Sequence, residues 1–457
     1  MKKIVIPFIV GLFLLACNNK SITVKKTTPE MTFKKADWIH NTDVYEVNLR
    51  QYTKEGTFNA FGKELPRLKA MGVSTLWFMP ITPISKKEMK GSMGSYYACS
   101  DYTAINPEFG TMDDFKSLVK QAHSMGFKVI IDWVANHTGW DHVWTKSHPE
   151  YYEMDSATND FKRASGMDDI IELNFNNKDL RKAMIDAMQF WVKECDIDGY
   201  RCDLAFWVEL DFWLEARAAL EKTKTLFWLA ENDGIDNPHY YQAFDACYTW
   251  KWMHDTEEFY KGKINKRSLD TLLNRYNSIG GSDAIKLWFT TNHDENSWNG
   301  TEYEKYGDAA KALAVFSFTW DGIPLIYSGQ ELPNKKRLDF FDKDVIAWTG
   351  KYELEDFYKT LLQLRKRNKS LETGNIAATT HVLFTTDNDN VLAYLRKNGS
   401  QEVLVLLNLS NHKVDFTVSD AQLSGSFNDV FHNLDFTFNK DQHFAMQPWQ
   451  YLVYEKK

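Results

Sequence analysis

The strongest constraint on the fold is a regular alternation of strand-like and helix-like runs that begins at Asp43 and continues to about residue 370. Strand-like runs lie at 44–50, 73–79, 128–133, 198–203, 225–230, 243–250, 285–291 and 322–327. Runs with helical spacing lie between them, at 61–71, 111–126, 178–195, 206–222, 267–277, 307–320 and 353–368. Eight strands interleaved with helices predict an α/β fold, a closed (β/α)₈ (TIM) barrel. An open doubly wound sheet is the alternative, but it favours a glycine-rich loop after the first strand, and the sequence has none there.

Two segments break the alternation. Residues 138–176 are polar and aromatic without a convincing helix, which indicates a small subdomain inserted after strand 3. After residue 370 the chain turns to short strand-like runs, and Asn398-Gly399 is a strong hairpin signal. We therefore predict a barrel from 37–137 and 177–370, an insertion at 138–176 and a C-terminal antiparallel β-sandwich domain at 371–457.

The N-terminus has the pattern of an export signal. Lys2 and Lys3 precede an apolar run of 13 residues, Ile4 to Ala16, which is short for a membrane span of ~20 residues. The run ends in LLAC, which looks like a bacterial lipobox. This predicts a signal peptide at 1–16, lipidation of Cys17 and a polar tether at 17–36. A signal peptide cleaved elsewhere is the alternative. The prediction places the protein at the cell envelope (periplasm or outer membrane) and leaves the membrane face open.

The composition limits the classes of binding partner that the protein is expected to have. The net charge is −8 and no block of basic residues stands out, so nucleic acid is not an expected partner and the lipid anchor is the only expected contact with a membrane. The remaining four cysteines are far apart and lack metal-ligand spacing, which predicts free buried thiols.

The segment DGYRCD at 198–203 carries the first catalytic signal. Alternate residues of a strand share one face, so Arg201 and Asp203 point the same way. We expect the cation to keep Asp203 ionised, as a carboxylate nucleophile requires. Glu231 follows the apolar run LFWLA, so we expect desolvation to keep it protonated.

Three carboxylates fall at the C-terminal ends of predicted strands, where barrel enzymes form their active sites: Asp203, Glu231 and Asp294. Each alone has an equally good structural explanation. Together they match the needs of retaining glycoside hydrolysis, in which one carboxyl group is the nucleophile and a second is the acid/base.

Four segments resemble the four signature regions of the α-amylase family of glycoside hydrolases: DWVANH at 132–137, GYRCD at 199–203, LAEN at 229–232 and FTTNHD at 289–294. The stretch 94–111 also resembles the loop after the family's second strand. The resemblance covers about residues 40–370. It implies a retaining hydrolase that cleaves α-glucosidic bonds in α-glucans or malto-oligosaccharides through a covalent intermediate.

The resemblance also implies residue roles. Asp203 would be the nucleophile, Glu231 the general acid/base, and Asp294 the residue that binds sugar hydroxyls and stabilises the distorted ring. Arg201 would hold the nucleophile, His137 and His293 would donate hydrogen bonds to the glucose being cleaved, and Asp132 would support the site from below. Tyr97, rather than Tyr96, would stack on that glucose because it lies four residues before Asp101.

The sequence departs from the family at the acceptor side. Where many members have Lys-His after the nucleophile, this chain has Phe206 and Trp207, which we expect to form an aromatic acceptor surface. The family's calcium site borrows from the same region. Asn136 matches one family ligand, but its partners cannot be identified in 138–176. The chemistry needs no cofactor, and a structural calcium ion at Asn136 is left open.

Three functions stay in competition at this point. The first is hydrolysis of α-glucans. The second is transglycosylation in the same family, to which an aromatic acceptor site would be suited. The third is a catalytically inactive barrel that binds glucan, ranked last because all three carboxylates are present. Linkage preference and exo or endo action are not decided by the sequence.

Overall fold

The computed structural model describes residues 32–281, 283–374 and 377–457. Its centre is a closed barrel of eight parallel strands, which confirms the predicted fold. The strands are β1 Val44–Val47, β2 Thr75–Phe78, β3 Lys128–Trp133, β4 Gly199–Cys202, β5 Phe227–Asp233, β6 Ala246–Tyr248, β7 Ile285–Trp288 and β8 Ile323–Tyr327. The barrel closes where β1 pairs with β8, with Val44 opposite Leu325.

Eight helices of seven residues or more surround the barrel among the described residues. They are α1 Leu65–Met71, α2 Met112–Ser124, α3 Lys178–Cys195, α4 Leu210–Leu220, α5 Trp250–Tyr260, α6 Lys266–Ser278, α7 Ala310–Thr319 and α8 Glu355–Arg367. Side chains cap the start of three of these helices, α2, α3 and α6. Thr111, for example, forms a capping box with Asp114 at the start of α2. Single-turn helices lie at Leu49–Tyr52, Phe58–Phe61, Val143–Ser147 and Glu302–Tyr306.

The structure adds one helix that the sequence pattern did not predict. Helix α5 buries only Trp252, Met253 and Thr256, so its apolar face is too narrow to produce a clear helical period. The connection from β5 to β6 contains only a 3-10 helix, Pro238–Gln242. Strand β5 also runs three residues beyond its predicted end, so Glu231 lies inside the strand.

The barrel interior is filled by side chains from alternate strand positions, including Trp77, Ile130, Leu229 and Leu325, all of them buried. The lower part of the barrel is therefore a packed core, and space for a ligand is left only at the carboxyl ends of the strands. Loops of very different length leave these ends, and they form the walls of the site.

The longest of these loops is the segment between β3 and α3. It pairs His137–Gly139 with Ile170–Glu172 in an antiparallel ladder, and a second small ladder joins Met154–Asp155 to Asp160–Phe161. The first ladder ties the far end of the insertion back to the end of β3, so residues 165–170 are held beside the barrel mouth.

The C-terminal domain is built from eight antiparallel strands: β9 Thr379–Val382, β10 Val391–Asn398, β11 Gln401–Asn408, β12 Val414–Ser419, β13 Gly425–Asp429, β14 Asp435–Phe438, β15 Asp441–Met446 and β16 Tyr451–Lys456. Six form one sheet in the order β9-β10-β11-β16-β13-β14, and β12 pairs with β15. Side chains of both sheets share one apolar core. The Asn398-Gly399 turn joins β10 to β11, with Asn398 opposite Gln401.

No helix among the described residues is long and apolar enough to span a membrane. The predicted signal peptide, Cys17 and the first part of the tether lie outside the described residues. Cys99, Cys195, Cys202 and Cys247 are free and buried, as predicted.

Candidate active site

The three predicted carboxylates meet in one cavity of about 390 Å³ at the carboxyl end of the barrel. Asp203 directly follows β4, Glu231 lies near the end of β5, and Asp294 lies in the loop after β7. A second cavity of about 370 Å³ lies beside α6 and the C-terminal domain, and none of the three carboxylates lines it.

Arg201 is the charge around which the site is organised. Its guanidinium is fully buried, and Nη1 donates to Asp132 Oδ1 at 3.0 Å and to Asp203 Oδ1 at 2.9 Å. Nη2 lies 3.0 Å from Glu231 Oε2, and Nε donates to the Tyr248 hydroxyl at 3.2 Å. One cation therefore holds the nucleophile and acid candidates side by side and is paired with Asp132.

The ionisation of Asp203 differs from the expectation, whereas that of Glu231 agrees with it. Burial raises the pKa of Asp203 to about 7, and the opposing effect of Arg201 does not cancel it. Burial likewise raises the pKa of Glu231 to about 7, with Asp203 and Asp294 adding to the rise against Arg201. The prediction that Arg201 would keep the pKa of Asp203 low was wrong, because desolvation of the buried carboxylate outweighs Arg201, and the charges of Asp132 and Asp294 add to the rise. The pair holds a proton near neutrality, as an acid/nucleophile pair needs.

Leu204 connects the two carboxylates through its backbone. It has a left-handed conformation, with φ 40° and ψ 46°, which is strained for a residue with a branched side chain. This conformation aims the Leu204 amide at Glu231, and the N–H donates to Oε2 at 2.8 Å. The strain thus fixes the orientation of the acid candidate.

His293 anchors the opposite side of the cavity. Its Nδ1 lies 2.5 Å from Glu46 Oε1, and its Nε2 lies 2.7 Å from the Tyr97 hydroxyl and 3.2 Å from Asp294 Oδ2. Burial alone would lower the pKa of His293, but the charges of Asp294 and Glu46 outweigh it and raise that pKa well above the ordinary value. In turn His293 lowers the pKa of Asp294 in spite of burial. Asp294 is therefore an ionised carboxylate that faces the cavity.

Tyr97 takes the predicted position and Tyr96 does not. The Tyr97 ring stacks on His293 with centroids 5.4 Å apart, and its hydroxyl donates to Asp132. Tyr97 lines the cavity and Tyr96 does not. The Tyr96 hydroxyl instead donates to Asn48 Oδ1 at 3.1 Å.

His137 faces the cavity as a neutral ring. Burial lowers its pKa to about 4, and its Nδ1 lies 3.3 Å from the Asn136 amide nitrogen. With Nδ1 accepting from Asn136, Nε2 carries the proton. That atom is buried and has no partner among the described residues. A sugar hydroxyl in the cavity would satisfy this donor.

Phe206 and Trp207 lie beside the cavity and do not line it. They form a 3-10 turn after Asp203, their rings pack edge to face, and Phe206 is 42% exposed. Leu204 is the residue of this turn that lines the catalytic cavity. Trp207 lines a neighbouring, more open cleft together with Asn136.

The surroundings of Asn136 do not fit a calcium ion. The cleft that it lines also contains Lys162 and Arg163, and the nearby carboxylate of Glu172 is paired with Lys162 at 2.7 Å. Calcium requires six to eight oxygen ligands, and the described residues contain no group of three acidic or histidine side chains placed to hold a metal ion.

The cavity also contains residues that the sequence did not reveal. Glu46 and Tyr248 support the charged groups from below. The walls include Lys90, Met167, Asp169, Trp298, Phe340 and Phe341. Two of these residues had a signal in the sequence. Glu46 is a charged residue inside the apolar strand VYEV, and Trp298 is an aromatic residue four positions after Asp294. The remaining wall residues lie in loops whose course no pattern predicted.

The geometry therefore provides a buried nucleophile candidate, a carboxyl group that holds a proton near neutral pH, and an ionised third carboxylate, all within reach of one sugar-sized space. Comparison with known proteins agrees with it. The model of the α-amylase catalytic domain matches residues 35–162 and 149–370, and that of the maltogenic amylase C-terminal domain matches residues 382–453.

Individual proteins extend the comparison. The chain is 23% identical over 423 residues to alpha-amylase 2 of Dictyoglomus thermophilum, covering 85% of this chain and 70% of that protein. It is 29% identical over 381 residues to neopullulanase 2 of Thermoactinomyces vulgaris, covering 76% of this chain and 62% of that protein, slightly less than two thirds.

Among solved structures, a maltogenic α-amylase from Thermotoga neapolitana superposes with a TM-score of 0.83 at 30% identity, covering 92% of this chain and 99% of that one. An α-amylase from Lactobacillus plantarum superposes with a TM-score of 0.81 at 27% identity, with the same coverage. From the barrel, the site and these matches together, the chain belongs to the α-amylase family of glycoside hydrolases, which act on α-glucans.

Proposed function

We propose that this protein is a retaining hydrolase of α-glucosidic bonds in malto-oligosaccharides and related α-glucans, with Asp203 as nucleophile and Glu231 as acid/base. The observation that carries the proposal is the placement of both carboxylates on the guanidinium of Arg201, with the pKa of each raised to about 7. Near neutral pH such a pair holds one proton and one negative charge, which is the state that the first chemical step requires.

In the first step the ionised Asp203 attacks the anomeric carbon and forms a glycosyl ester, while Glu231 gives its proton to the glycosidic oxygen and the C–O bond breaks. In the second step Glu231 takes a proton from water, the water oxygen attacks the anomeric carbon, and Asp203 leaves as a carboxylate. Both steps pass through a positively charged sugar. The ionised Asp294 faces the cavity and stabilises that charge.

The remaining residues bind and orient the sugar. Tyr97 and His137 line the cavity, and His293 is held in place by Glu46. We assign hydroxyl binding to the two histidines and stacking to Tyr97. Phe206 and Trp207 flank the side from which Glu231 protonates, so they are assigned to the departing or accepting sugar.

Product analysis tests this function. The protein without its first 16 residues is incubated with maltoheptaose, pullulan, panose and soluble starch. Products are followed by chromatography, and their anomeric configuration by NMR. We expect α-configured short products. The Asp203→Asn variant should release none. Asp186→Asn, the same change on the exposed surface of α3, should behave as the wild type.

Each alternative gives a different result. Products longer than the substrate would indicate transglycosylation. An initial product in the β configuration would contradict the retaining mechanism. No turnover on any of the four substrates would overturn the hydrolase proposal in favour of a glucan-binding role.

We further propose that Cys17 carries a lipid that anchors the enzyme at the cell envelope. The support is the sequence alone: the apolar run that ends in LLAC and the polar stretch that follows it. Metabolic labelling with a radioactive fatty acid should mark the wild-type protein and leave a Cys17→Ser variant unlabelled. Equal labelling of both would contradict the anchor.

A further inference from the structure

The catalytic cavity has two ends, and the barrel order decides which sugar each end receives. Around the barrel, β8, β1 and β2 are neighbours, and β4 and β5 lie across from them. Glu231 on β5 and Leu204 after β4 mark the end where the leaving sugar is protonated. The loops after β2 and β8 therefore border the other end, which holds the sugars on the non-reducing side of the cleaved bond.

Two loops form a fixed wall at that non-reducing end. The Met93 amide donates to the Phe341 carbonyl at 3.0 Å, and the Ser92 amide donates to Asp342 Oδ1 at 2.9 Å. Gly91, with φ +62°, packs so tightly that an added Cβ would lie 2.5 Å from Phe341 Cβ. The loop after β2 and the loop after β8 thus act as one piece of structure, without a gap between them.

Trp298 adds an aromatic surface to this wall from the loop after β7. Its ring centroid lies 5.2 Å from that of Phe340 and 5.6 Å from that of Phe341. It is 51% exposed and lines the cavity. Phe340 in turn stacks on Tyr97 with an interplanar angle of 17°. The rings therefore continue outward from the position assigned to the cleaved glucose.

An ion pair between Lys90 and Asp169 joins this wall to the inserted segment at the cavity. Lys90 Nζ lies 2.7 Å from Asp169 Oδ1 and 5.9 Å from the Phe341 ring centroid. The Asp169 side chain is only 7% exposed, and Lys90 is its cationic partner. Both residues line the cavity. Next to them, a turn through Ser165 and Gly166, both with positive φ, presents Met167 to the same space.

From this arrangement we infer that the Lys90–Asp169 bridge closes the non-reducing end of the cleft, so that the enzyme takes the free non-reducing ends of α-glucan chains and releases short products. A continuous chain would have to leave the cavity where the bridge joins the insertion to the loop after β2. The inference rests on the proposed function and adds to it exo action and the residues that impose it.

The test compares two substrates that differ only at the non-reducing end. One is p-nitrophenyl α-maltoheptaoside, and the other carries a 4,6-O-ethylidene block on its terminal glucose. The wild type should cut the blocked substrate at least ten-fold more slowly. Asp169→Asn and Lys90→Met should each raise the blocked-to-unblocked ratio of kcat/KM several-fold, because each removes the ion pair that closes this end of the cleft.

Asp168→Asn is the matched control. Asp168 is the neighbouring residue, its side chain is 69% exposed, and it pairs with Arg163 instead of Lys90. This variant should keep the wild-type ratio. Equal rates of the wild type on both substrates, or an unchanged ratio in both bridge variants, would overturn the inference.

A binding measurement tests the closed end of the cleft independently of the proposed hydrolysis. In an Asp203→Asn background, calorimetry with blocked and unblocked maltoheptaose makes the same comparison without turnover. Weaker binding of the blocked sugar, relieved by Asp169→Asn, supports the closed end even if no substrate is hydrolysed. Equal affinity for both sugars overturns it.

Discussion

Replacing Asp203 by asparagine should stabilise the folded protein at neutral and alkaline pH while abolishing its activity. Burial raises the pKa of Asp203 from 3.8 to about 7. Well below pH 3.8 the carboxyl group is protonated in both the folded and the unfolded chain. Between pH 4 and 7 the unfolded chain releases a proton that the folded chain retains, so the group destabilises the folded state as the pH rises. Asparagine does not ionise and removes this penalty.

The size of the effect follows from the same pKa. A difference of about 3 pH units, at ~1.4 kcal/mol for each, gives about 4 kcal/mol as an upper limit. Part of it is lost, because the asparagine amide brings an N–H donor into a buried site beside Arg201, which can itself only donate. Arg201 keeps Asp132 and Glu231 as partners, so no buried cation is left alone. We expect a net gain of about 2 kcal/mol above pH 7, or a few degrees in Tm.

Thermal unfolding measured by calorimetry at pH 4 and pH 8 tests this reasoning. The Tm difference between Asp203→Asn and the wild type should be positive at pH 8 and close to zero at pH 4. Asp186→Asn, in which an exposed carboxylate is changed, should show no such pH dependence. A variant that is less stable than the wild type at pH 8, or a Tm difference that is equal at both pH values, would refute it.

Three further predictions concern the supporting residues. Glu46→Gln removes one of the two negative charges that keep His293 protonated. We expect kcat/KM to fall about 10- to 100-fold (~1.4–3 kcal/mol) and the alkaline limb of its pH profile to move to lower pH. An unchanged pH profile would contradict this prediction. In the folded protein, His254 and Lys305 lower the pKa of the buried Glu295 to about 2 although burial opposes this. Lys305→Met removes the cation that lies 2.7 Å from the Glu295 carboxylate. Urea unfolding should show a loss of about 3–5 kcal/mol, partly recovered in Lys305→Met/Glu295→Gln, and an unaltered midpoint would speak against it. Because the cleft at Asn136 is lined by cations, EDTA should leave Tm unchanged in a thermal melt, and a decrease reversed by added calcium would show that a metal site exists.

The sequence predicted the barrel well because its strands are buried on both faces and read as continuous apolar runs. The run KVIIDW, for example, coincides with β3 from Lys128 to Trp133. Helix α3 was predicted with its observed ends because its apolar positions recur regularly and Asn177 caps its start. Helix α5 was missed because only three of its side chains are buried.

The catalytic centre was predictable and its walls were not. Asp203, Glu231 and Asp294 lie at or just beyond strand ends, so the strand pattern alone brings them together. Lys90, Asp169 and Trp298 meet only through the paths of three loops from different parts of the chain. The ionisation of Asp203 was misjudged for a related reason. Its neighbour Arg201 is visible in the sequence, but the burial that outweighs Arg201, and the approach of Asp132 and Asp294, arise only in the folded barrel.

The contact between Glu46 and His293 joins residues 247 positions apart in the chain. Glu46 lies on the first strand of the barrel, and that strand is held in place by the last one. Contacts of such long sequence separation form late in folding, since a long loop must close before they can be made. The sugar site therefore comes into existence only when nearly the whole barrel has assembled. A partly folded chain therefore lacks the assembled site, and a sugar that binds this site stabilises the finished barrel.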